Sequence, residues 1–394
     1  MNNKRHISII GGSGHVGFPL GLIFSSKGFK VSLIDKHKVN NEKINSGQTP
    51  FLEENSHKLL KDMLRKKRIH ATSQLNEVRR SKYIIVCIGT PITRKLNPSL
   101  KNFFNFFRQL NKLLKKDQIV IIRSSVYPGI CNKVYKIIKN KCKNLSYCPE
   151  RIVQGKAITE LPKLSQLIAG KNNIAKKESG KLFNKICKKI IYTEIIEAEL
   201  SKLFSNAYRY INFSISNEFF MICKNYGQDF HKIREIMRQD YKRNSNIPKA
   251  GFTAGPCLLK DTMQLSSFYS HKFLLGHSAM SINEGLPKFL ISKLSEKHNL
   301  KKKIIGILGL AFKAETDDIR DSLSIKLINL LKKKKLKTLQ SDEYYFNKDS
   351  SVDKKYLIKK SDIIIIGAPH RAYKNIRFPK NKVVVDIWGV VEKY

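Results

Sequence analysis

Acid is scarce in this chain. Asp and Glu number 31 against 75 Lys and Arg in 394 residues, a formal net charge of +44. Such an imbalance raises nucleic acid as a partner. The lysines, however, are spread along the sequence in short runs such as 332–335, with no basic tail and no aromatic interleaving of the kind an RNA platform needs. The same field attracts small anions without a dedicated patch, so no nucleic-acid partner is expected. Long apolar runs are also missing. None approaches the roughly 18 residues of a membrane span, and the polar start Met1–His6 leads straight into a strand, so a soluble cytoplasmic protein is expected. The seven cysteines include no CxxC pair and no Cys/His cluster, which argues against a zinc site and against a disulfide scaffold and fits a reducing compartment. No metal is expected. At this length, with 41% hydrophobic residues, two or three domains are predicted.

The clearest local pattern stands at the start. A short apolar strand, 6–10, enters Gly11-Gly12-Ser13-Gly14-His15-Val16-Gly17, and an amphipathic run through Pro19, Leu20, Leu22, Ile23 and Phe24 follows. Gly12, Gly14 and Gly17 thus occupy GxGxxG: the first for a tight turn, the second for close approach of a pyrophosphate, the third for packing of helix on sheet. A second strand, 31–34, ends at Asp35, 18 residues past Gly17. An acid there binds the ribose hydroxyls of NAD and repels the 2′-phosphate of NADP. The pattern predicts an NAD site.

Further strands follow at the intervals of a parallel sheet. The run 83–88 ends in Gly89-Thr90-Pro91, and 118–122 ends in Arg123-Ser124-Ser125-Val126-Tyr127-Pro128-Gly129. Ligands of open α/β sheets bind beyond the carboxyl ends of the strands, which places Thr90 and Ser125 beside the cofactor. A third run, 145–148, leads into Pro149-Glu150-Arg151, so Glu150 sits on the same rim, where a carboxylate can act as a base. Each of these polar residues also reads as an ordinary turn former.

After Tyr192 the pattern turns helical. Residues 194–226 contain no proline and carry Leu200, Leu203, Ala207, Ile211, Ile215 and Phe219 at helical spacing, which predicts a long helix buried on one face. Lys202, Asn206 and Arg209 share one stripe at i, i+4, i+7, either solvated or lining a cleft. A second helix is read over 277–298. Gly255-Pro256-Cys257-Leu258-Leu259-Lys260-Asp261 then places a thiol in a small-residue turn, followed at +3 and +4 by a cation and an acid. That is the make-up of an activated nucleophile, although a lone cysteine is also commonly a small buried residue, the reading given to Cys87, Cys187 and Cys223. Strand 303–308, the stretch Gly309 to Ser322, helix 325–331 and strands 363–366 and 383–386 form a second α/β unit without the glycine fingerprint. The fold class is α/β: two doubly wound Rossmann-like domains joined by a long central helix and a helical dimerisation region. The domains read as 1–192, 193–298 and 299–394, with a ligand-binding cleft between the doubly wound parts.

Six of these motifs, from the glycine fingerprint through Ser124–Gly129, Pro149–Arg151, Lys202 with Asn206 and Gly255–Asp261 to Gly309–Arg320, occur in order along nearly the whole chain. The set resembles the UDP-glucose/GDP-mannose dehydrogenase family, whose members oxidise the C6 alcohol of a nucleotide sugar to a carboxylate with two NAD per sugar. The resemblance implies that Cys257 traps the intermediate aldehyde, that Lys202 and Asn206 stabilise the developing oxyanion, and that Glu150 and Asp261 do acid/base work, with Ser125 alongside. It also implies cofactor contacts at Gly12, Gly14, Val16, Gly17, Asp35, Thr90, Ser125, Lys260 and Arg320. Substrate contacts are implied at Glu150, Lys202, Asn206, Lys249, Phe252, Phe312 and Lys313.

The sequence departs from the family pattern in places. Ser125 stands where many relatives have threonine, and Asp386-Ile387-Trp388-Gly389 stands where an arginine is common. Arg243 matches the arginine that reaches across the family's dimer, and the helix around Asn283 matches its dimer interface, which implies a homodimer. Two other readings stay open: a single-step hydroxyacid-type NAD dehydrogenase, and a non-catalytic basic nucleic-acid-binding protein on an inherited fold.

Overall fold

The computed structural model describes residues 5–93, 96–253 and 255–391, so the first four residues of the polar lead-in Met1–His6 lie outside it. The chain divides into two compact units, one ending at Ser205 and one beginning at Asn206, and the division falls inside the helix Ile195–Asn225.

The first unit is built on eight strands: β1 (His6–Ile10), β2 (Lys30–Ile34), β3 (Ile69–Thr72), β4 (Tyr83–Val86), β5 (Ile119–Ile122), β6 (Leu145–Tyr147), β7 (Ser165–Gly170) and β8 (Lys189–Tyr192). They lie in the order β3-β2-β1-β4-β5-β6-β7-β8, parallel except where β7 meets β6. The central strands are apolar throughout because both faces are covered. One core gathers Ile9, Phe18, Phe24 and Leu33, and the other gathers Ile10, Val86, Phe107 and Val120. The helix Gly17–Ser26, read from sequence as amphipathic, is buried from Gly17 to Ser25. It carries no charged residue, so no side of it requires water.

The second unit has a four-stranded parallel sheet of β9 (Ile304–Leu308), β10 (Lys337–Ser341), β11 (Ile363–Ile366) and β12 (Val383–Asp386), in the order β10-β9-β11-β12. The strand order reverses between β1 and β4 in the first sheet and between β9 and β11 in the second. At such switch points the loops leaving adjacent strands diverge and open a crevice for ligands.

Helix Ile195–Asn225 corrects one expectation. Leu203 and Ala207 are buried as read, but Ile215 and Phe219 are exposed at 42% and 38%. The inward side continues instead through Tyr210, Ser214, Asn217 and Phe220. The buried serine and asparagine are satisfied: Ser214 donates to the Ile211 carbonyl at 2.8 Å, and Asn217 donates to Asn283 Oδ1 at 2.8 Å and accepts from the Gly251 amide at 2.8 Å. Asn283 is itself fully buried and donates to the Tyr210 carbonyl, so its side chain faces the interior of its own unit rather than a partner. Among the described residues no helix is long and apolar enough to cross a membrane.

The glycine turn tolerates no added bulk at its last position. A Cβ on Gly17 would fall on the Gly11 carbonyl oxygen and lie 2.9 Å from Gly12 Cα, both of them backbone atoms. Gly17→Ala is expected to lower the unfolding free energy by about 1–3 kcal/mol through overpacking, measured by urea titration; an unchanged midpoint would show that the turn can move.

Candidate active site

In the first unit, polar residues collect at the carboxyl ends of β1, β2, β4, β5 and β6. Gly11 has φ +74°, the left-handed region, and turns the chain out of β1. A Cβ on Gly12 would sit 2.6 Å from Leu33 Cα, whereas one on Gly14 would meet nothing closer than Gly11 O at 3.4 Å. Gly12 and Gly17 are therefore demanded by the protein's own packing, and the space over Gly14 is left to a ligand. Asp35, at the end of β2, accepts from Ser13 N at 3.3 Å and His37 N at 3.1 Å, which ties its carboxylate to the turn. Ser13 Oγ is buried without a partner among the described residues. Backbone amides, a carboxylate at the end of the second strand and a hydroxyl without a partner among the described residues, beside an open glycine, fit a dinucleotide. Val16 precedes the helix as its N-cap residue.

Thr90, buried at 3% exposure, donates to the Ser125 carbonyl at 2.6 Å, and Ser124 donates to Val86 O at 3.2 Å, so the turn after β5 is pinned to the end of β4. Glu150 is also buried. One of its oxygens pairs with Arg123, and the other accepts from the amides of Arg151 at 2.7 Å and Ile152 at 3.0 Å. Arg123 lies wholly inside the unit, where it also donates to Cys148 O at 3.1 Å and Gln166 Oε1 at 3.0 Å. Sequence reasoning passed over this arginine. Its signal was a cation at the end of an apolar strand, where only a buried partner could hold it. Lys202 is half-buried on the long helix, and Arg209, two steps along the same stripe beyond Asn206, is exposed.

In the second unit, Cys257 is the N-cap residue of helix Leu258–Phe268 and is exposed. Its carbonyl accepts the first helical bond from the Asp261 amide at 2.9 Å. Thiol and carboxylate are thus one turn apart. Asp261 is fully buried; it receives Asn206 Nδ2 at 2.6 Å and pairs with Lys260. Burial keeps Asp261 from bulk water, and its carboxylate is met by Asn206 and Lys260 instead.

Gly255, with φ +103°, packs against the Phe312 ring so closely that a Cβ would overlap it. The loop after β9 that carries Phe312 is itself well held. Asp342 accepts the amides of Leu310 and Ala311 and receives His370 Nε2 at 3.1 Å, and His370 Nδ1 accepts the Glu315 amide at 3.0 Å. Burial alone would raise the Asp342 carboxyl, but the hydrogen bond from His370 and those from the backbone amides of Tyr344 and Leu310 hold it below the ordinary carboxylate value. Lys313 Nζ lies 6.0 Å over the Phe312 ring. Arg320 forks onto Asp318 with contacts of 2.6–3.0 Å, and that hydrogen bonding raises its pKa further.

Lys249 donates to the Gly389 carbonyl at 2.8 Å, and Gly251 packs on the ring of Trp388, which stands in the segment where the sequence lacks the family's arginine. Phe252 is 2% exposed and its ring belongs to the core, so its side chain is not presented as a contact surface. Arg243 is exposed on a short turn. Among the described residues no three His, Cys, Asp or Glu side chains converge as a metal site.

Comparison with known proteins agrees with this layout. The NAD-binding, central and UDP-binding domains of the UDP-glucose/GDP-mannose dehydrogenase family match residues 5–191, 196–284 and 306–393. A UDP-N-acetyl-D-mannosamine dehydrogenase of Pyrococcus horikoshii is 27% identical over 401 residues, covering 97% of this chain and 95% of the relative. A UDP-glucose 6-dehydrogenase of Rickettsia prowazekii is 27% identical over 413 residues, covering 97% and 94%. The solved structure of the Pyrococcus horikoshii UDP-D-ManNAc dehydrogenase superposes with a TM-score of 0.90 at 26% identity, covering 99% of this chain and 96% of that one.

Arg123→Met leaves the Glu150 carboxylate buried without its cation, which is expected to cost about 3–5 kcal/mol, read from urea unfolding. A midpoint equal to that of the unsubstituted protein would show that the pair contributes nothing.

Proposed function

Because the chain belongs to the UDP-glucose/GDP-mannose dehydrogenase family, an NAD-dependent class of oxidoreductases, we propose that it converts the C6 alcohol of a UDP-sugar to the uronic acid by a four-electron oxidation through a cysteine thioester. The substrate is UDP-glucose or a UDP-N-acetylhexosamine, and the product serves polysaccharide precursor synthesis. The three-part organisation 1–192, 193–298 and 299–394 follows the NAD-binding, central and UDP-binding regions of that family.

The observation that carries the covalent step is the contrast among the seven thiols. Burial pushes Cys87 up to about 12 and Cys187 up to about 11, and it raises Cys131, Cys142, Cys148 and Cys223 as well. Cys257 is the exposed one, and it stands at the amino end of a helix, where backbone amides favour a thiolate.

Gly12, Gly14, Val16, Gly17, Asp35, Thr90 and Ser125 hold the cofactor in the first unit, and Lys260 and Arg320 add positive charge suited to its pyrophosphate. Bound there, NAD supplies the hydride acceptor for both oxidations. Lys202 and Asn206 steady the substrate oxygen as it gains negative charge. After the first oxidation the Cys257 sulfur adds to the aldehyde carbon, and the new alkoxide takes a proton to give a thiohemiacetal. Loss of the remaining C6 hydrogen as hydride, with the hydroxyl proton, leaves a thioester. Water then adds to that carbon, the C–S bond breaks, and the thiolate departs as the carboxylate forms. Glu150, oriented by Arg123 and two amides, accepts a hydrogen bond from that water. Lys249 and Lys313 face the nucleotide with their loops, Phe312 provides a ring surface, and Phe252 acts through its backbone.

A homodimer fits the second unit's exposed apolar row on the long helix. Tyr208, Ile215, Phe219, Ile222 and Tyr226 recur every three, four or seven residues, with Tyr226 as much as 78% exposed. A second copy of this row is its natural cover.

Two measurements test this reading. Purified protein supplied with UDP-glucose, UDP-N-acetylglucosamine or UDP-N-acetylmannosamine is expected to yield two NADH per sugar, and Cys257→Ala is expected to abolish uronate formation; undiminished acid from the variant would refute the thioester route. In sedimentation, Phe219→Asp is expected to turn a dimer into a monomer, and an unchanged mass would remove this row from the interface.

A further inference from the structure

We infer that Glu199 is a positioning residue for the reaction, locking the cofactor-side turn after β5 to the helix that carries Lys202; the inference rests on the dehydrogenase reading above. Glu199 is fully buried on helix Ile195–Asn225. Its two oxygens accept from the amides of Gly129 at 2.7 Å and Cys131 at 2.9 Å, across about 70 residues of sequence.

Those amides are the N-cap and second positions of helix Ile130–Ile138, and the N-cap residue Gly129 has no side chain with which to cap itself. Gly129 also has φ +90°, which suits glycine and resists a serine or aspartate that could cap locally. The helix end therefore borrows its cap from Glu199. A carboxylate meeting two backbone donors at the positive end of a helix makes charge-assisted bonds of defined direction. A buried carboxylate elsewhere would be costly, so the contact is enforced from both sides.

Its place in sequence gives the contact a catalytic consequence. Glu199 and Lys202 are three residues apart on one helix, hence neighbours on its surface. Ser125 sits at the other end of the same turn, with its carbonyl held by Thr90. The turn is thus clamped at Ser125 by the end of β4 and at Gly129 by the Lys202 helix. The Ser125 hydroxyl and the Lys202 ammonium are held in one frame.

Glu199→Gln keeps the shape but leaves an NH2 group facing a backbone N–H. The expected result is a kcat lower by about 10- to 100-fold, with KM for the UDP-sugar within about twofold, and NADH binding weakened about tenfold, the loss of one charge-assisted hydrogen bond. In a Lys202→Ala background the same substitution should lower kcat by no more than about twofold, because the two residues act as a unit. A lowered melting temperature with kcat and NADH affinity unchanged would mean a structural role only and would overturn the proposal. So would a full repetition of the kcat loss in the Lys202→Ala background. Should Glu199→Gln fail to fold, Glu199→Asp, too short to reach both amides, is read in the same way. Amide exchange in the unsubstituted protein gives a check that needs neither variant nor turnover: the Gly129 and Cys131 amides should be protected, and rapid exchange at both would overturn the proposal. A protein that binds NADH but oxidises no UDP-sugar would sink the dehydrogenase reading instead, leaving amide exchange and NADH affinity to decide Glu199.

Discussion

The burial of Asp261 is the constraint on which the second unit's chemistry rests. A carboxylate with no exposure must be met by donors, and it is met by Asn206 and Lys260. Since Asp261 is one turn along the helix that begins after Cys257, satisfying it sets the rotation of that helix and with it the direction of the thiol. Asn206 is fixed by the same contact, because its amide must point its NH2 group at Asp261. One buried carboxylate thereby orients the helix that begins at Cys257 and the side chain of Asn206.

The first unit applies the same logic twice more. Arg123 and Glu150 satisfy each other below the rim of the sheet, and Glu199 satisfies two helix-terminal amides above the turn after β5. Neither contact is local in sequence. Each converts an unaffordable unpaired group into a fixed distance between segments far apart in sequence, among them the segments assigned to cofactor and substrate in the proposed function. Such fixed distances let a site built on several loops keep its geometry without the loops being rigid themselves.

Sequence reasoning reached the parts whose physics is local. The glycine turn, the apolar central strands and Asp35 follow from spacing and periodicity, and the structure places them at the switch point of the first sheet. Strands β3, β8 and β10 lie at sheet edges and carry polar residues among few apolar ones, so they form no apolar run, whereas the edge strand β12 keeps Val383–Val385 and was read. Strand β7 was missed because its apolar part, Leu167 to Ala169, is only three residues long between Ser165-Gln166 and Gly170. The long helix misled for a different reason. It is apolar on more than one side, so spacing alone could not tell which row faces inward, and buried Ser214 and Asn217 replaced the expected Ile215 and Phe219. Arg123 and Glu199 escaped because a charged residue's partner, some tens of residues away, leaves no trace in its own neighbourhood.

The uneven protection of the thiols has a practical side. Cys131, Cys142 and Cys148 are buried, Cys87, Cys187 and Cys223 are half-buried, and Cys257 stands exposed at a helix terminus. Toward an alkylating probe Cys257 is therefore the most accessible thiol of the folded chain, ahead of the three half-buried ones. A fluorophore or mass label attached briefly under native conditions would favour that one place, and denaturing the protein first would erase the preference, turning the order in which thiols react into a gauge of whether the fold is intact.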